Sequence, residues 1–170
     1  MWFAGPFRGS APSGNLDSPL WPRSAVLVDT SVSVSGDAPF LRVFEGVYAT
    51  VTVRRVRAGV VIVILAGTDV GELHDAPFQL LHRIIEMDGP IELFIDTRGG
   101  RMVSIDVSNQ WAMWLRQERA GIRQVHMLAV SRFLRVTATV VHRFAGLGGA
   151  MRVTADAGEF DRALGSVAAG

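Results

Sequence analysis

Val60-Val-Ile-Val-Ile-Leu65, then a helical stretch Pro77–Met87 behind Asp75, then the stop Asp88-Gly89-Pro90 and Ile91-Glu-Leu-Phe-Ile95: this passage decides the fold class. The first run is continuously β-branched or aliphatic, which marks a strand buried on both faces. Asp75 suits a helix N-cap, with Pro77 in the first turn. Phe78, Leu81, Ile84 and Ile85 then recur at helical spacing, so one face of that helix is apolar. Asp-Gly-Pro cannot continue a helix, and a second apolar strand follows at once. A buried strand, an amphipathic helix and another buried strand form a βαβ unit with parallel strands.

Outward from this unit the alternation continues. Upstream, Gly46–Val56 alternates in Val and Thr and meets Val60 through the turn Arg57-Ala58-Gly59, so an antiparallel hairpin precedes the parallel part. Downstream, Asp96–Arg101 reads as a polar loop. Asp106–Ala120 reads as a helix with Val107, Trp111, Trp114 and Leu115 inward, closed by Gly121. Val125–Val130 reads as a strand. Ser131 caps a helix to about Ala145 whose inner face is read as Phe133, Val136, Val140, Val141 and Phe144. Gly146, Gly148 and Gly149 stop it. Ala150–Thr154 is a last strand, and Ala157–Leu164 a closing helix with Phe160 and Leu164 as its apolar contacts. The expected fold is α/β, with a mixed sheet of about five strands, an N-terminal hairpin and about four helices.

The first forty residues differ. Five of the seven prolines lie there (Pro6, Pro12, Pro19, Pro22 and Pro39), interspersed with Gly and Ser. Residues 1–43 are expected to be a largely disordered extension and residues 44–170 one domain. Trp2, Phe3, Phe7 and Trp21 are the aromatic exceptions.

Composition narrows the function classes. Hydrophobic residues make up 49% of the 170 residues, enough for a real core. There is no cysteine, which excludes disulfides and thiolate metal sites. Net charge is +1, too small for a field that gathers nucleic acid. All 17 basic residues are Arg, with abundant Ala, Gly and Val, a pattern of GC-rich coding before one of phosphate binding. Met1–Ser10 lacks a basic start followed by an apolar run, and Gly59–Gly67 is too short to span a bilayer, so a cytoplasmic protein is expected.

Residues 45–165 resemble the STAS domain family, the fold of sporulation anti-anti-sigma factors, and within it the STAS-like or SEC14-like bacterial proteins. The resemblance is carried by Pro90-Ile-Glu-Leu-Phe-Ile-Asp96-Thr-Arg-Gly-Gly100, by Ser104-Ile-Asp106-Val-Ser108 opening the Trp-containing helix, by Gln124–Val130 with Ser131-Arg-Phe133, and by Met151–Asp156 with Phe160 and Ala163-Leu164. It implies a non-catalytic regulatory module that binds a protein partner, such as an anti-sigma-type kinase. It also implies phosphorylation at the start of the helix after the third strand. The family string is Asp-Ser-Ser-Gly or Asp-Ser-Thr-Gly. Here it is Asp106-Val107-Ser108-Asn109, with Ser108 at the modified position and Val107 and Asn109 departing from the pattern.

A phosphate at a helix N-terminus would meet free N–H groups, and Arg98 and Arg101 lie just upstream. The plainer reading makes Asp106 or Ser104 an N-cap and Ser108 an ordinary helical serine. The partner surface is expected at Asp96, Arg98, Arg101, Ser104, Asp106 and Ser108. The SEC14-like side of the resemblance implies instead a carrier or sensor of a lipid or small apolar ligand, in a pocket lined by Trp111, Trp114 and Phe133; the plainer reading of the two Trp is core packing.

Other chemistry is poorly supported. His74, His82, His126 and His142 fall on four separate elements, and none has the i, i+4 partner of a helical metal site, so neither a metal nor a cofactor is expected. Gly146-Leu-Gly148-Gly149 follows a helix where a dinucleotide loop would follow a strand. No Gly-x-Ser-x-Gly elbow occurs, and no Lys exists for a phosphate loop. A weaker enzyme reading would rest on Asp96 with a nearby Ser or Arg.

Overall fold

The computed structural model describes residues 39–169 and one strand, Val26–Val28, before them. Among these residues the chain forms β1 (Val26–Val28), β2 (Phe40–Glu45), β3 (Ala49–Arg57), β4 (Val60–Asp69), α1 (Ala76–Asp88), β5 (Ile91–Val103), α2 (Ile105–Gln117), β6 (Ile122–Leu128), α3 (Arg132–Ala145), β7 (Met151–Thr154) and α4 (Ala157–Ala168). The sheet runs β1-β2-β3-β4-β5-β6-β7, every strand beside its sequence neighbour. The first three pairings are antiparallel and the last three parallel. The α/β fold with a leading hairpin and four helices therefore holds, with more strands than expected.

The strand order fixes where the helices lie. Each parallel step moves the same way across the sheet, and crossovers of one hand then put α1, α2 and α3 on one face. The main core is built there, from Val53, Val63, Leu93, Ile95 and Val125 of the strands against Leu81 and Ile84 of α1, Trp111 and Leu115 of α2, and Leu134 and Ala138 of α3. The opposite face carries a smaller cluster: Val60, Ile62, Phe94 and Leu128 under Phe160 of α4.

Three boundaries differ from the sequence reading, each for a non-local reason. First, the expected domain start at residue 44 falls inside β2, which pairs from Phe40 with Arg55 onward. The β2–β3 turn is held from a distant loop. The Glu72 carboxylate accepts the N–H groups of Val47 (2.7 Å), Tyr48 (2.7 Å) and Ala49 (2.8 Å). Gly46 is needed there, because a Cβ would collide with that carboxylate. Val26–Val28 of the 1–43 extension forms β1 and pairs antiparallel with β2, and its other residues before Pro39 lie outside the described residues.

Second, Asp96–Arg101 is no loop. β5 continues to Val103, because its far half pairs with Ala66–Asp69 of β4. Third, α3 is rotated from the expected orientation. Leu134, Ala138, Val141 and Ala145 are buried, while Phe133, Val136, Val140 and Phe144 are exposed. Both sets recur at helical spacing, so pattern alone does not choose between them. The alanines decide, since small side chains let a helix approach its neighbours closely.

The ends of α3 follow the sequence, and the start of α1 does so only in part. Ser131 Oγ accepts from Leu134 N (3.0 Å) and Gly146 ends α3 in the left-handed region at φ 66°. Asp75 precedes α1 but its carboxylate takes the Gln79 amide (2.6 Å) rather than a backbone N–H.

One buried ion pair ties α1 to the hairpin. Arg55 donates to Asp88 through Nε (2.8 Å) and Nη2 (2.7 Å), and Gly59 N–H donates to the same carboxylate (2.8 Å). Both side chains are almost wholly buried. Burial alone would raise the Asp88 pKa; the hydrogen bonds from Arg55 and then Gly59, with the guanidinium charge, outweigh it and hold the carboxyl below its ordinary value. A depressed carboxyl pKa gives stability that is full above the unfolded value, about 3.9, and is lost as pH falls through the folded value. Asp88→Ala is expected to cost about 3–5 kcal/mol in urea unfolding at neutral pH, because it removes a buried carboxylate that holds Arg55 through two hydrogen bonds. The gap between variant and parent should begin to shrink below about pH 4, where the carboxyl of the unfolded chain takes up a proton, and close only below the depressed folded value. A pH-independent gap would refute this role.

Candidate functional site

The six residues expected to form one partner surface are divided by the sheet. Side chains alternate along β5, so Ile95 and Thr97 face α2 and α3 while Phe94 and Asp96 face α4. Asp96 is buried and paired with Arg98 (2.7 Å), and Arg98 reaches on to Asp161 of α4 (2.9 Å). Hydrogen bonds to Asp96 and then Asp161 push the Arg98 guanidinium above its already high pKa. Arg98 is thus a clamp between β5 and α4, turned away from the start of α2. Thr97 Oγ1 donates to the Leu128 carbonyl (2.6 Å), so it too is structural.

At the start of α2 the plainer cap reading describes the geometry. Ser104 Oγ accepts from Val107 N (3.2 Å), and Asp106 sits exposed in the first turn where a carboxylate suits the helix dipole. Ser108 is buried, and its hydroxyl donates to the Ser104 carbonyl (2.8 Å). A phosphate on Ser108 would require that turn to open. Arg101 is exposed on the last residues of β5.

Trp111 and Trp114 are core residues. Phe78 of α1 packs edge-on to Trp111 (4.9 Å between ring centres) and stacks on Trp114 (5.8 Å). Trp114 Nε1 is buried with no hydrogen-bond partner among the described residues. Trp111 also walls a cavity between the sheet and the two helices, with Leu65, Ile95, Ser108, Leu134 and Met151. Its volume is about 30 Å³, room for a water molecule and not for a lipid chain. Trp114 and Phe133 do not line it.

The histidines are individually engaged. His126 contacts Glu92 (2.8 Å) and stacks on Phe94 (4.5 Å between centres). His82 contacts Glu118 (2.9 Å), and His142 Nε2 meets the Gly148 carbonyl (2.8 Å) just past α3. His74 is a non-glycine residue at φ 51°. Near it Asp69 is buried at the end of β4; burial raises its pKa, the Glu72 charge adds to this, and the N–H of Gly71 opposes both. No group of three or more metal-type side chains occurs among the described residues.

The feature missed in the sequence is the outer side of α2 and α3. Exposure is 49% at Phe133, 61% at Val136, 41% at Val140 and 64% at Phe144, with 80% at Ile105 and 60% at Met113 of α2. These belong to one surface. The cavity brings Ser108 and Leu115 of α2 against Leu134, Thr137 and Val141 of α3, which fixes the facing sides of the two helices. At about 100° per residue, Ile105, Asn109 and Met113 lie one step outward on α2, and Phe133, Val140 and Phe144 one step outward on α3. The two rows border a shallow seam. Arg116, Arg132 and Arg143 border it, all exposed, and none makes an ion pair among the described residues. α3 contains no acidic residue. The visible signal was a helix with two apolar rows, which can bury only one.

No protein-family model matches the chain, and no curated protein matches it. No helix among the described residues is long and apolar enough to cross a membrane.

The orientation of α3 has a direct consequence for stability. Phe144→Ser should change the unfolding free energy by no more than about 0.5 kcal/mol, as exposed substitutions do. Leu134→Ala on the same helix should cost about 2–5 kcal/mol. Urea melts showing the reverse order would place the aromatic row in the core after all.

Proposed function

We propose that this chain is a non-catalytic, STAS-like regulatory module that holds a protein partner on its α2–α3 seam. The apolar row Phe133, Val136, Val140 and Phe144 supports this reading above all else. Scattered exposed hydrophobics are ordinary, but a continuous row beside Ile105 and Met113 is the mark of a covered surface. Aromatic and arginine side chains together are the composition favoured at interface centres. The surface sits one helix further along than Asp96–Ser108 suggested, and of those residues only the start of α2 borders it.

The lipid-carrier reading would need the 30 Å³ cavity to expand many-fold by parting α2 from α3. The rigid partner surface needs no such change.

The test is paired affinity isolation of the full chain from its native cells, as the parent and as Phe133→Asp/Phe144→Asp, with matched thermal melts. The parent should retain one protein in near-stoichiometric amount, which the double variant loses while its melting temperature stays within a few degrees. Isolation of both forms free of any protein, or retention of a lipid instead, would refute the reading.

A further inference from the structure

The chemistry of the seam points to one kind of occupant. Around the helix axis of α3, taking Leu134 as the inward direction, Phe133, Val140 and Phe144 lie to the side that faces α2. Arg132, Thr139 and Arg143, with Val136 among them, form the outward crown. The apolar side chains therefore line the flank of a seam, and the cations stand above and beyond it. A flat apolar surface would meet the crown first. A narrow apolar ridge could enter the seam.

We infer that the seam is a receptor for an acidic amphipathic helix of a partner protein. Apolar residues at i, i+3 or i+4, and i+7 would enter between Met113 on one side and Phe133, Val140 and Phe144 on the other. Flanking Glu or Asp would pair with Arg116, Arg132 and Arg143. This rests on the partner-binding reading and adds the class of partner.

Charge excludes the two nearest alternatives. A second copy of the chain would set one arginine cluster against another across a symmetric interface. The chain's own first 25 residues carry Arg8 and Arg23 against Asp17 and hold four prolines, so they are neither acidic nor able to form the ridge. Arg116, Arg132 and Arg143, which make no ion pair among the described residues, find a role in this way. They would gain carboxylate partners in a partly desolvated setting, and they would steer association.

The test uses the full chain and synthetic helical peptides of about 18 residues, long enough to hold a helix. One carries Leu at the seam-facing positions and Glu elsewhere; its control replaces every Glu with Lys. Binding is followed by fluorescence anisotropy at low and high salt. Phosphatidylglycerol vesicles and sedimentation equilibrium of the chain alone run beside it. The Glu peptide should bind at least about tenfold more tightly than the Lys peptide and weaken with salt. Phe144→Asp should reduce its affinity at least about tenfold. Arg132→Glu/Arg143→Glu, which leaves every buried residue in place, should reverse the preference between the peptides.

Equal binding of both peptides would overturn the inference. So would no binding of either, indifference to the variants, recruitment to the vesicles in place of the peptide, or a dimer that Phe144→Asp dissolves. The two readings fail separately. A native partner that the parent holds and Phe133→Asp/Phe144→Asp loses, with neither peptide bound, would end this inference and leave the partner-binding reading intact. A bound Glu peptide with no native protein partner would do the opposite.

Discussion

The structure turns on how closely α3 approaches the layer beneath it. Ala138 and Ala145 are fully or almost fully buried, and Leu134 and Val141 complete the same row. A helix that lowers its alanines onto a sheet and a neighbouring helix excludes water over much of its length, since no long side chain holds it off. The cost is geometric. A helix of 14 residues cannot also bury a row of two phenylalanines and two valines, and that row is left facing water. Everything proposed about partner binding descends from this choice of face.

Much of the fold is legible because it is local. Val60–Leu65 is β-branched up to its final leucine and becomes the central strand, Asp88-Gly89-Pro90 stops α1, and Ser131 and Gly146 bracket α3. What escapes is decided by distant residues. Phe40–Glu45 looks like the end of a Pro-rich extension until Glu72, 25 residues beyond Val47, is seen holding the turn that follows it. Asp96–Arg101 looks like a loop, with its two glycines, until β4 supplies a partner for it.

The site is less legible than the fold. Asp96, Arg98, Ser104 and Ser108 are close in sequence, and the family resemblance implies one surface for them. The period of two along β5 sends Asp96 to the α4 side, and there Arg98 is held between Asp96 and Asp161. Ser108 turns inward onto the Ser104 carbonyl. Phe133 was expected to line a pocket and is instead at the edge of an exposed seam. In α3 the bulkier row resembles a core more than the alanine row does, because size and hydrophobicity carry the pattern while closeness of approach does not appear in it.

The rotation of α3 can be measured without knowing any partner. The chain has no cysteine, so a single introduced thiol reports only its own position. Maleimide labelling under native conditions of Phe144→Cys and, separately, Ala138→Cys compares the two rows directly. Phe144→Cys should react at nearly the rate of the urea-unfolded chain, and Ala138→Cys should be protected at least about a hundredfold, reacting only through rare opening of the fold. Protection at position 144 with free reaction at 138 would contradict the account at its root.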